Sequence, residues 1–234
     1  MNNLNEHKEI SYNKRFEIKL VLNQTQFLEF NSWFILNTRF KKAYNSRIVN
    51  TIYFDDLKNS SAHDNLSGIS FREKYRLRWY GEKLENSAKF ELKRKENRLG
   101  YKKYFDIPFI KKEISSLKIF ELAKIYEKEL SLWNSKYFFH LFPKIQVQYK
   151  RAYYESFNNL RLTIDNNIKY WPAFENYKPF FGMPFLYNYN VVELKFSPES
   201  YSDIRSMFRR TKLLPKRHSK YLVGLAILSE VKYI

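Results

Sequence analysis

The 234-residue sequence has no cysteine, 5 glycines and 7 prolines. Without cysteine there is no disulfide, no thiolate nucleophile and no cysteine-ligated zinc, and a reducing cytoplasm suits such a chain. So little glycine and proline leaves few places for tight hairpins, which favours long strands. No apolar run approaches the roughly 20 residues that span a bilayer. The first sixteen residues, MNNLNEHKEISYNKRF, hold no apolar h-region, so no cleaved signal is expected. Acidic residues are scarce as well. There are 24 Asp and Glu against 42 Lys and Arg, a formal charge of +18. That excess points to an anionic partner, and nucleic acid, an acidic membrane surface, a nucleotide or polyphosphate would all satisfy it.

What is present is a foldable, aromatic-rich composition: 44% apolar, 28% charged, with 19 Tyr and 21 Phe. It predicts one globular domain over 1–234 behind a polar leader at 1–12. Strands are expected at 14–22, 49–54 (ending in an Asp55–Asp56 turn), 70–80, 89–95, 100–107, 144–154, 160–165 and 190–196. Residues 24–38 read as a largely buried helix, through Phe27, Leu28, Phe30, Trp33, Phe34 and Leu36. Further helices are expected at 116–137, 200–214 and 219–231, with polar and aromatic loops at 81–87 and 172–190.

Alternation along the strands carries the functional signal, because residues two apart share a face. Arg72, Lys74, Arg76 and Arg78 lie on one face, with Phe71, Tyr75, Leu77 and Trp79 on the other and Glu73 out of step. Arg15, Glu17 and Lys19 oppose Phe16, Ile18 and Leu20. Glu91, Lys93 and Lys95 oppose Phe90 and Leu92, with Arg94 out of step. Arg161, Thr163 and Asp165 oppose Leu160, Leu162 and Ile164, and Glu193 and Lys195 oppose Val192, Leu194 and Phe196. A solvated outer sheet face is the commoner cause of such a split. Here, however, four cations about 7 Å apart on one strand face repel each other unless an anion sits among them. With helices available for the apolar side, the charged face reads as a lumen.

These segments resemble the VTC domain of polyphosphate polymerases, within the triphosphate tunnel metalloenzyme (CYTH-like) group. The carriers, in order, are RFEIK (15–19), TIYFD (51–55), KYRLRWYG (74–81), FELKRK (90–95), YKRAYY (149–154), RLTID (161–165), VVELKF (191–196) and PKRHSKYLVG (215–224). The resemblance implies an α+β fold: an antiparallel β-barrel forming a triphosphate tunnel with a charged lumen, flanked by helices. It implies phosphotransferase activity, in which the γ-phosphoryl of ATP passes to a growing polyphosphate chain with Mn²⁺ or Mg²⁺. Lys19, Arg76, Arg78 and Lys93 match the family's phosphate-holding residues, as do Lys102, Arg151 and Arg161. Glu193 matches its metal-binding carboxylate, with Glu17 and Glu91 as further candidates, and Lys195 returns to the same face. Ser219 and Lys220 end a Lys-x-Ser-Lys element whose first position here is Arg217; Lys220, Lys19, Arg76 and Arg78 are the catalytic candidates. Arg keeps the charge at 217 but not the compact amine. Regulatory and membrane domains accompany this domain in eukaryotic relatives, so membrane coupling would fall to a separate protein.

For 147–151 the two approaches diverge. Alternation puts Gln148 and Lys150 on the polar face, whereas the family match selects Arg151, which a bulge would reconcile. Asp165 reads as a turn cap with Asn166, and His7, His63, His140 and His218 show no ligand spacing. The aromatic segment 171–189 reads as packing rather than a base-stacking platform. Arg205, Arg209, Arg210, Lys212, Lys216 and Arg217 form a basic patch that either guides a polyanion or is a solvated helix face. A triphosphatase using water as acceptor, and a non-catalytic binder of polyphosphate or inositol phosphates, remain alternatives. Specific nucleic-acid binding fits less well, since duplex binders present an exposed basic stripe. Loss of Arg76 or Lys93 is expected to abolish triphosphate binding with stability unchanged or higher.

Overall fold

The structure, a computed structural model, describes residues 16–81, 88–96, 99–106, 117–130, 141–156, 160–209, 211, 213–229 and 231–232. The expected leader, Arg15, loop residues 82–87, helical residues 131–137, His7, His140, Arg210 and Lys212 lie outside the described residues. The chain runs β1 (Phe16–Leu22), α1 (Gln24–Asn37), β2 (Lys41–Asp55), α2 (Ser60–Ser67), β3 (Phe71–Tyr80), β4 (Lys89–Glu96), β5 (Leu99–Asp106), α3 (Ile119–Leu130), β6 (Phe142–Glu155), β7 (Arg161–Pro172), β8 (Phe185–Tyr187), β9 (Asn190–Phe196), α4 (Tyr201–Arg209) and α5 (Lys220–Ile227).

The strands form one antiparallel sheet in the order β1-β9-β7-β6-β2-β3-β4-β5, with β8 added on β7. The sheet is not closed: among the described residues no ladder joins β1 to β5. The expected barrel is therefore corrected to an open, curled sheet. Part of the gap at the β1 edge is filled by the segment before α5, where Lys216 N donates to Lys19 O at 2.8 Å.

Alternation explains the layers. The outward residues of β2, β3 and β4, including Ile52, Phe54, Tyr75, Leu77, Phe90 and Leu92, pack under α3. Those of β1, β7 and β9, including Leu20, Leu162, Ile164, Leu194 and Phe196, pack under α1 and α4. Each such side chain contributes about 1.5–3 kcal/mol when fully buried. The two residues out of step settle each other. Glu73 and Arg94 are cross-strand partners and form an ion pair on the outer face, where Tyr75 also donates to Glu73.

The helices differ from expectation in instructive ways. α1 starts at a capping box in which Asn23 Oδ1 accepts from Gln26 N at 2.9 Å and Gln26 Oε1 from Asn23 N at 3.1 Å. It is not largely buried. Phe30 and Phe34 face the sheet, but Leu28, Ile35 and Leu36 are 58%, 68% and 82% exposed, because a helix laid on the outside of a sheet buries one stripe. α2 was not anticipated. Asp55 creates it by accepting from Ser61 N and Ala62 N, both at 3.0 Å, at the helix N-terminus. α4 ends at Arg209, short of the expected 214.

α5 lies inside the curl. Tyr221, Leu222, Val223 and Leu225 pack on the inner faces of β2, β6, β7 and β9 through Tyr53, Ile145, Val147, Tyr149, Tyr170 and Val191. A Cβ on Gly224 would lie 2.2 Å from Ile145 Cδ1, so any larger residue here would have to displace the Ile145 side chain from this close approach. No helix among the described residues is long and apolar enough to cross a membrane.

Candidate functional site

Around the charged part of the lumen, cations gather on a few carboxylates. In the β1–β9 ladder Glu17 faces Lys195, and Lys19 faces Glu193. Lys19 Nζ is 2.8 Å from Glu17 and 3.9 Å from Glu193, while Lys195 Nζ is 2.8 Å from Glu193 and 3.8 Å from Glu17. Burial would raise both glutamates, and the charge of Glu193 adds to this at Glu17, but the lysines, with Arg151 beside Glu193, hold both below the usual carboxylate range, so both are ionised.

A second hub is Glu91 on β4. Its carboxylate is 2.5 Å from Arg76 Nε, 2.6 Å from Lys102 Nζ and 3.9 Å from Arg78 Nη1. Burial would raise its pKa, and the three cations drive it far down instead. With its oxygens committed in this way, Glu91 orients the β3 arginines and has little left to offer a metal. Arg78, buried, also reaches Thr51 Oγ1 at 3.4 Å.

The third hub is Asp165 on β7, which is fully buried. It takes two bonds from Arg151, Nε at 2.5 Å and Nη2 at 2.7 Å, and one from Lys220 Nζ at 2.5 Å. Asp165 is therefore not the turn cap expected. Arg151 and Lys220 also sit over the Tyr149 ring, 5.2 Å and 4.6 Å from its centroid. Against the effect of burial, Arg151 and Arg78 hold the Tyr149 phenol below its ordinary value.

The 147–151 disagreement resolves against the expected polar face. Tyr149 faces inward, and the next inward position along β6 is Arg151. Gln148 points outward with Gln146, bonding Asn50 at 2.8 Å, and Ala152 and Tyr154 join the outer core. The bulge exists, but on β7. Between Gln148↔Lys169 and Lys150↔Asn166, one residue of β6 spans two of β7, and Asn167 there has φ +52°. Before it Asp165 faces the lumen; beyond it Ile168 and Tyr170 turn inward to α5.

The remaining candidates lie at the margins. Ser219 caps α5 by accepting from Leu222 N and also accepts from Lys74 Nζ at 2.9 Å. A cavity of about 580 Å³ opens here, lined by Glu17, Lys19, Arg72, Lys74, Lys216, Arg217, Ser219 and others. Arg161 is not drawn into the clusters; it is exposed and pairs with Glu155 at 3.2 Å. Within the basic patch, Lys216 and Arg217 line the cavity, whereas Arg205 and Arg209 are exposed on α4. His63 is exposed. His218 is buried, and burial with Lys220 and Lys19 nearby pushes its imidazole down to about 3, so it is neutral. In the aromatic segment, Phe180 packs on Trp79 and Trp171, centroids 5.5 and 4.8 Å apart, as part of the outer core.

A profile of the VTC domain matches residues 14–229. The chain belongs to the VTC domain family. Three solved structures similar to this VTC domain are a putative adenylyl cyclase from Hippeastrum with a dominant triphosphatase activity, a putative adenylate cyclase from Vibrio parahaemolyticus and an inorganic triphosphatase. They share 15%, 11% and 10% identity, with TM-scores of 0.49, 0.45 and 0.33. The matches cover 90%, 92% and 90% of this chain, and 94%, 98% and 94% of theirs. No curated protein matches the chain. The resemblance drawn from the sequence implies a divalent metal in this charged lumen.

The residues present fit a hard divalent ion only in part. Among the described residues no group of three or more His, Asp or Glu converges as a ready-made metal cage. Glu193 and Glu17 nevertheless offer ionised oxygens close to one another. That suffices for Mg²⁺ or Mn²⁺, which take one or two carboxylates and complete their shell with substrate oxygens. Two lumen groups were missed as site residues. Lys74 stands on the same β3 face as Arg76 and Arg78, a signal that alternation had already exposed. Asp165 is the third hub, and its period-2 relation to Arg161 and Thr163 placed it on the polar face.

Proposed function

We propose that this VTC domain is a metal-dependent polyphosphate polymerase that moves the γ-phosphoryl of ATP onto a growing polyphosphate chain. One observation carries the reading. Arg72, Lys74, Arg76 and Arg78 occupy successive inward positions of β3, a cationic row about 20 Å long at about 7 Å per step. That length exceeds the span of one triphosphate and suits a chain of phosphates. In the transfer, a terminal oxygen of the polyphosphate attacks the γ-phosphorus, the β–γ bridging P–O bond breaks, and ADP leaves with the bridging oxygen. Such a step needs positioning and charge neutralisation more than a protein nucleophile. Arg76 and Arg78, oriented by Glu91, grip the transferring group with Lys93 and Lys102. Arg151 and Lys220, oriented by Asp165, neutralise the opposite side, with Lys19, Lys195, Ser219 and Arg217 along the path and Arg161 at its margin. Glu193 and Glu17 are the residues that would hold a divalent ion, which would further neutralise phosphate oxygens when bound. The cysteine-free composition suits cytoplasmic work.

The test is incubation of the purified chain with ATP and Mn²⁺ or Mg²⁺ followed by a polyphosphate gel. Long chains are expected. Release of phosphate without chains would make the protein a triphosphatase, and tight polyphosphate binding without turnover would make it a binder.

A further inference from the structure

Most lumen cations described above have a carboxylate partner; Lys74, like Lys93 and Arg72, has none among the described residues. Among the described residues no carboxylate lies within 4 Å of its Nζ, and its hydrogen bond goes to the neutral Ser219 hydroxyl at 2.9 Å. The sheet register worsens its position. Lys74 stands directly opposite Lys93, which stands directly opposite Lys102, so three lysines form one row across β3, β4 and β5. Like charges in direct cross-strand register destabilise a sheet. The surroundings add only more of the same sign: Arg72 and Arg76 on its own strand, Lys93 from β4 and Lys19 from β1. The lysine also lines the 580 Å³ cavity, where Asn65 and Leu66 of α2 are neutral and Glu17 is engaged by Lys19. A side chain so placed has room for a ligand beside it and no internal counterion.

We propose that Lys74 is an additional ligand of the phosphate chain, and that it gains its proton as the polyanion enters, so that binding takes up a proton. Burial, then the charges of Lys93, Lys19, Arg76 and Arg72, hold the empty-lumen amine well below the ordinary lysine range. A polyanion lying along β3 supplies the missing counter-charge and restores the ammonium form. Binding and protonation are then linked, and affinity falls as pH rises. The proposal rests on the polyphosphate reading of this lumen.

Calorimetric titration of the metal-free protein with inorganic tripolyphosphate tests it, at about pH 8 in buffers of differing ionisation enthalpy, which counts the protons exchanged. Wild type, Lys74→Arg and Lys74→Met are compared. Lys74→Arg keeps a permanent charge, so it should bind about as tightly but take up fewer protons, by up to one per site. Lys74→Met should bind about tenfold more weakly, having lost one charge-assisted contact, with the same deficit in proton uptake. Equal proton uptake by wild type and Lys74→Arg overturns the linkage, and unweakened binding by Lys74→Met overturns the ligand role. Failure of wild type to bind tripolyphosphate would instead defeat the tunnel reading itself. If the Met variant does not fold, the Arg variant still decides the linkage.

Discussion

Removing one lumen cation should stabilise the empty protein and removing another should destabilise it, although from sequence both were expected to behave alike. Lys93 has no carboxylate within 4 Å among the described residues and faces Lys74 and Lys102 in register. Crowding by the lumen walls lowers its pKa from 10.5 to about 8. Arg76, Lys19 and Lys195 add to that effect and Glu17 opposes it. At about 1.4 kcal/mol per pKa unit the shift corresponds to about 3 kcal/mol of unfavourable free energy at most. The side chain is open to lumen water, and screening should leave about 1 kcal/mol. A cation whose folded pKa is depressed weakens the fold fully below about pH 8, and the penalty is relieved as pH rises toward 10.5. Lys93→Met should therefore raise stability by about 1 kcal/mol at neutral pH, and the gain should shrink above pH 8. Arg76→Met should do the opposite. It strips the 2.5 Å partner from buried Glu91 and leaves Lys102 at 2.6 Å and Arg78 at 3.9 Å, a loss of about 2 kcal/mol. Urea denaturation followed by tryptophan fluorescence in anion-free buffer measures both, and both variants should lose tripolyphosphate binding. Equal destabilisation by the two substitutions would refute this account of the lumen charge.

Asp165→Asn should cost about 3 kcal/mol in urea denaturation, because it leaves Arg151 and Lys220 without their shared buried counterion. Since Arg151 and Lys220 hold the Asp165 carboxyl down against burial, its contribution is complete above the ordinary value of 3.8 and lost as pH falls through the lower folded value; the gap to wild type should close in acid. Glu193→Gln should abolish metal-dependent turnover of ATP while metal-free tripolyphosphate binding stays equal or tightens, and preserved turnover would remove Glu193 from the metal site. Asn167→Ala should cost about 1 kcal/mol at its φ of +52°, whereas Asn167→Gly should be near neutral in the same assay.

Four strands displayed their inner face openly in the sequence. In β1, β3, β4 and β9, charged residues point into the lumen and apolar ones toward covering helices, so a period of two separated them. Even the two exceptions were informative, since Glu73 and Arg94 fell out of step together and proved to be cross-strand partners. β6 and the far half of β7 were opaque for a physical reason. Their inner faces meet α5 rather than anion or water, so Val147, Tyr149, Ile168 and Tyr170 are as apolar as an outer face. Polarity ceased to mark the inside along the stretch that meets α5, and its two glutamines on β6, Gln146 and Gln148, bond outward, to Phe180 N and Asn50.

The signal for that plug was in the sequence, in α5 itself. Tyr221 through Leu225 is an unbroken buried run rather than an amphipathic stripe, and a helix apolar all round belongs inside a structure, not on its surface. Placing α5 inside also explains why Lys220 and Asp165 meet. The helix must enter the curl at its N-terminus, so its first residue is carried to the inner wall, where the last inward position of β7 before the Asn167 bulge awaits it. Without the bulge, alternation would turn Lys169 and Trp171 into the lumen in place of Ile168 and Tyr170, and the apolar seat of α5 would be lost. The same irregularity thus ends the charged lumen and begins the core that closes it.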